Sequence, residues 1–143
     1  MVHTARAQTS DKDILREMHA AVLKAHLDGD VEAWMALEAD SVLSVNNGVV
    51  KKIGRSERSS MRNEYLSTTS FDSYRDLMEP VVRISGDGTL GWVIAEVEVV
   101  GWTHRDDGAI EDIGAVYAWI ELYDKRDGRW VMTGNVTNSR ALD

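Results

Sequence analysis

The chain has 143 residues, 43% of them hydrophobic, and a formal net charge of −8, which suits a single domain over 1–143 with a flexible tail at 1–9. The acidic balance argues against a nucleic-acid partner, and the absence of cysteine excludes disulfides, thiolate catalysis and thiolate zinc sites. The first ten residues lack the apolar segment of a signal peptide and no run is long enough to cross a membrane, so a cytoplasmic location without a membrane partner is expected.

Helix signals begin at Ser10, which is placed to cap, with Asp13 in the first turn and Ile14, Met18, Ala21, Val22 and Ala25 at helical spacing. Gly29 stops that helix and Asp30 caps a shorter one over 31–39. A strand over 41–45 runs into the turn Asn46-Asn47-Gly48. Lys51, Lys52, Arg55, Arg58 and Arg62 form the one basic cluster. Without interleaved aromatics, it reads as a solvated loop and helix face. A third helix over 57–67 is marked by Met61, Tyr65 and Leu66.

Beyond residue 67 the pattern changes to strands, at 72–85, 89–104, 113–123 and 129–138, with a glycine-bearing hairpin connection between each and the next. Pro80 interrupts the first of them, as at an edge or a bulge. Helices followed by long antiparallel strands predict an α+β fold in which helices cover one face of a curved sheet.

Four segments, "HLDGDVEAWMALEAD" (26–40), "NNGVVKKIGRSE" (46–57), "VRISGDGTLGW" (82–92) and "YDKRDGRWVMTGNVTNS" (123–139), follow in an order that resembles the nuclear-transport-factor-2-like (NTF2-like) superfamily, in particular its SnoaL-like and ketosteroid-isomerase-like branches. The resemblance covers about 10–139. It implies a cone-shaped, strongly bent antiparallel sheet wrapped around the N-terminal helices, a pocket between sheet and helices, and a homodimer through the outer sheet face. On 89–104 one face carries Val93, Ala95, Val97 and Val99, and the other Trp92, Ile94, Glu96, Glu98, Val100 and Trp102, so both faces want cover.

Against the ketosteroid isomerase pattern the general-base position falls on Asn46, the tyrosine position on Val22 and the oxyanion acid position on Ile120, so all three roles are vacant. The histidines that SnoaL-like relatives carry on the last strand are replaced by Gly134 and Val136. His3, His19, His26 and His104 read as surface or rim residues, since His19 and His26 stand seven apart rather than at the i,i+4 spacing of a helical metal site. No metal and no cofactor is expected.

Glu96 and Glu98 are the candidate catalytic pair. If their face lines the pocket, as the register of the resemblance implies, desolvation and mutual repulsion would make one a general base. If the valine face is the core, as simple alternation implies, they point away. In the first register Trp34, Asn46, Tyr74, Trp92, Trp102, Thr133, Asn135 and Thr137 line the ligand site, joined by Asp76 and Met78. Tyr117, Trp119, Tyr123, Trp130 and Met132 then form the dimer surface. The function expected is binding of a small, partly apolar molecule. The alternative is a cofactor-free cyclase, isomerase or hydrolase with Glu96 or Glu98 as base.

Overall fold

The computed structural model describes residues 9–143, so His3 and all but the last residue of the expected tail lie outside it. Helix α1 spans Asp11–Asp28. The Ser10 hydroxyl accepts the Asp13 amide at 3.2 Å, and Gly29, at φ 63°, closes the other end with its N–H on the Ala25 and His26 carbonyls. Leu15, His19, Val22 and His26 recur every three or four residues and are all buried, so they are the inward stripe of α1. Helix α2, Val31–Met35, starts from Asp30, whose side chain accepts the Ala33 amide at 3.0 Å. It is shorter than expected because the chain turns into a strand at Glu38.

Strands β1 (Glu38–Asn46) and β2 (Val49–Gly54) form a hairpin about Asn47-Gly48, both at positive φ, the two-residue turn that suits strand twist. Helix α3 covers Arg55–Thr68. Then follow β3 (Thr69–Asp76), β4 (Val81–Ile84), β5 (Leu90–His104), β6 (Ile110–Arg126) and β7 (Arg129–Ala141). Pro80 falls in the break between β3 and β4, which both pair with β5, so the expected strand over 72–85 is two edge segments.

The sheet order is β2-β1-β7-β6-β5-β3, with β4 on β5. All pairings are antiparallel except β1 with β7, so the sheet is mixed rather than purely antiparallel. The inner face meets α1 in two clusters. Leu15 and Val22 pack with Val93, Tyr123, Trp130 and Met132 at one end, and Leu23 packs with Tyr74, Val97, Val99 and Trp119 at the other. Where β3 crosses β5, Gly101 lets the backbones touch: a Cβ there would stand 2.1 Å from the Ser70 carbonyl oxygen.

A bulge sets the faces of β7. Tyr123 pairs with Met132 but Leu122 pairs with Gly134, so Thr133 is an extra residue on β7. The extra residue shifts the alternation by one. Trp130 and Met132 before it, and Asn135 and Thr137 after it, all face inward. Trp130, Met132, Tyr123 and Trp119 are therefore core, not the dimer surface that unbroken alternation predicts.

Candidate functional site

Beneath α1 lies a buried polar network. His19 Nδ1 is 2.5 Å from Glu121 Oε2 and Nε2 is 2.8 Å from Asp76 Oδ1, so both ring nitrogens face carboxylates. Glu121 also accepts Trp119 Nε1 and the Tyr123 hydroxyl, each at 2.6 Å. Burial works against a proton on His19, yet Glu121 and then Asp76 lift its pKa to about 9, so it is an imidazolium at neutral pH.

Above this network a cavity of about 280 Å³ opens between the inner face and the helices. Two turns along α1 from His19, His26 stands in its wall among rings, 4.0 Å from Trp34 and stacked on Tyr74 at 4.3 Å and 22°. Its Nδ1 lies 2.7 Å from the Val22 carbonyl, which only an N–H can satisfy, so Nε2 is left as an acceptor. Burial pushes its pKa down to about 4, with Arg62 adding to the effect against the Val22 bond, and the ring is neutral. Burial likewise holds the Tyr74 hydroxyl well above its ordinary range.

The third wall comes from α3. Arg58 Nε and Nη2 grip the two Glu38 oxygens at 2.9 Å each, and Arg62 Nη2 joins them on Oε1. Arg62 Nη1 lies 3.2 Å from Met35 Sδ, and its guanidinium stacks 3.6 Å over the Trp34 ring. Asn46, Asn135 and Thr137 complete the lining from β1 and β7. Asn135 Oδ1 is buried with no hydrogen-bond partner among the described residues.

The sequence matches no protein-family model and no curated protein. Solved structures do match. A ketosteroid isomerase-like protein from Erwinia carotovora atroseptica shares 18% identity at a TM-score of 0.73, over 94% of this chain and 100% of that one. An NTF2-like protein from Cytophaga hutchinsonii shares 15% at 0.71, over 94% and 100%. A protein with a cystatin-like fold from Caulobacter vibrioides shares 16% at 0.70, over 90% and 88%. The fold is NTF2-like.

Within the NTF2-like cone, Trp34, Asn46, Tyr74, Asn135 and Thr137 line the cavity together. Trp92, Trp102 and Thr133 do not. The two tryptophans are on the outer face, and the bulged Thr133 turns its hydroxyl to the Leu122 carbonyl. Glu96 and Glu98 are also on the outer face, with Glu98 3.1 Å from Arg75, because the valine row of β5 packs on α1. They share no cavity with Tyr74. Ile120 faces outward too, and its inward neighbour is Glu121, so a carboxylate does stand at the pocket floor.

His19 and His26 are interior, not surface or rim, and Arg58 and Arg62 are cavity wall rather than solvated face. A signal for the histidines existed: with Leu15 and Val22 they form an α1 stripe one position off the one read from Ile14 and Met18. The spacing 58, 62, 65 likewise marks one face of α3.

Proposed function

We propose that the protein binds a small, partly apolar molecule in the cone cavity. The observation that carries this reading is Asn135 Oδ1, a buried acceptor in the cavity wall with no partner, an arrangement that a ligand hydroxyl or amine completes. The aromatic wall of Trp34, Tyr74 and Trp119 suits the apolar remainder. A thermal-shift screen of small hydroxylated aromatics tests it. Hits should raise Tm in wild type and lose at least about tenfold in affinity in Asn135→Leu and in the cavity-filling Thr137→Phe. Hits that bind both variants as tightly as wild type place the ligand elsewhere.

A second reading, a cofactor-free enzyme, is supported by His26 rather than by Glu96 or Glu98. Its ring is neutral, fixed by Val22 and keeps Nε2 as an acceptor at the cavity. Turnover of a bound compound that disappears in His26→Gln while binding persists would establish it.

The reading extends to a homodimer through the outer face. Val50, Val45, Val136, Ile120, Ile94 and Val81 align across six strands as one apolar row, and Val50, Val136 and Ile94 are exposed in the single chain. Among the described residues no helix is long and apolar enough to cross a membrane.

A further inference from the structure

The arginine wall holds one positive charge too many. Glu38 is fully buried and receives both Arg58 and Arg62, each nearly buried, so two guanidiniums share one carboxylate. The other carboxylate at the cavity, Glu121, is taken up by His19, Trp119 and Tyr123. Asp76 holds the second nitrogen of the same His19, so that network is one charge negative and the surplus on the arginine wall is a local one. Residues 1–8 contain no Asp or Glu that could supply a balancing side chain. Arg58 Nη1 and Arg62 Nε make no hydrogen bond to any described residue, so donors remain on the charged wall after Glu38 is satisfied. A charge whose counter-charge lies in a separate network rather than beside it is costly in a buried setting, and this one borders an open cavity.

We propose that the ligand of this cavity is a small monocarboxylic acid, seated with its carboxylate on Arg58 and Arg62 and its apolar body against Trp34 and Tyr74. This rests on the binding reading above and adds the charge of the ligand to it. The local surplus on this wall is matched by one negative charge, whereas a phosphate dianion would exceed it beside a His19 network that is already one charge negative. The planar guanidinium fork matches a carboxylate geometrically. The volume beside Tyr74, about 280 Å³, lies at the small end of ligand sites and continues past Arg58, Arg62 and Thr137 into a space of about 410 Å³ toward Met61, which suits a small body of one or two rings or a short chain. A hydroxyl on that body meets Asn135 Oδ1. On a chain of net charge −8, affinity for an anion must come from this wall and not from the general field.

The test is calorimetric titration of the full chain at pH 7 with 4-hydroxybenzoate, phenylacetate and hexanoate, each beside its neutral amide, and with inorganic phosphate. At least one acid should bind about tenfold or more tightly than its amide. Arg58→Gln should bring that acid down to the affinity of the amide and leave the amide unchanged, whereas Glu96→Gln on the outer face should change neither. Amides that bind as well as acids overturn the charge assignment while the cavity stays a binding site. If neither acids nor amides bind, the charge assignment falls and the binding reading for molecules of this size falls with it. Phosphate binding above every acid also overturns it. The acid-to-amide ratio of the wild-type protein decides the matter even where Arg58→Gln fails to fold.

Discussion

At His19 both imidazole nitrogens meet a carboxylate oxygen, so the ring donates twice and its proton is part of the packing. Its pKa is raised in the folded chain to about 9 from an ordinary 6.5, and the sign follows: the stabilisation is complete below about pH 6.5 and is lost as pH rises through 9. We expect Tm to fall between pH 7 and pH 9.5, by an amount equivalent to on the order of 3 kcal/mol, and this slope to vanish in His19→Gln. A wild-type Tm flat across that range would contradict the buried imidazolium. Removing Glu121 instead leaves that cation to Asp76 alone and the Trp119 and Tyr123 donors without their acceptor: Glu121→Ala should cost about 3–5 kcal/mol in urea unfolding at pH 7. Neither role was legible from residue type alone. His19 is nearly three turns from the nearest glycine or proline cue, Gly29, and its partners come from β3 and β6, far along the chain.

Among the elements, those marked by local chemistry were readable in advance. Ser10, Gly29, Asp30, Asn47-Gly48 and Asp127-Gly128 each fix a boundary through a cap or a positive φ, and the structure puts boundaries there. Which face a strand buries was harder. On β5 the alternation itself was correct, and valines against α1 leave Glu96 and Glu98 outside. On β7 alternation failed, because one bulged residue, Thr133, reverses the phase and carries no distinguishing side chain. Deleting Thr133 should restore unbroken alternation with Trp130, Met132, Asn135 and Thr137 all still inward. The expected readout is a ligand-induced thermal shift that persists with far-UV circular dichroism retained, and its loss would mean that the bulge itself shapes the cavity wall. At the β3–β5 crossing, Gly101→Ala should destabilise by at least about 1–3 kcal/mol, since the new methyl group meets backbone rather than a movable side chain. An unchanged urea midpoint would mean that the strands can part there at no cost.

For the molecule as a whole, the fold class was written in the order of helices before strands, whereas the cavity was not, because its wall joins β1, α1, α3 and β7, elements distant in sequence. Arg58 and Arg62 illustrate the difficulty: beside Lys51 and Lys52 they look like part of a basic surface, and only Glu38 arriving from the opposite side turns them inward. The outer face gives the prediction proper to this scale. Sedimentation at micromolar concentration should show about twice the 16.0 kDa of one chain, and Ile94→Lys, at a position 37% exposed in the single chain, should return it to 16.0 kDa with the fold intact. A wild-type protein sedimenting as one chain would remove the dimer.

The parallel pairing of β1 with β7 has a consequence for how the molecule is made. β7 follows the other described strands along the chain, and among the described residues it alone links the β1–β2 hairpin to the rest of the sheet. Until it arrives, α1 can already rest on β5 and β6, but the hairpin has nothing to join and Asn135 and Thr137 are not yet in place. Closure of so long a loop is the slow kind of folding step. A chain stalled before β7 would therefore hold half a core and no cavity, and the capacity to take up a ligand would report that β7 had been added.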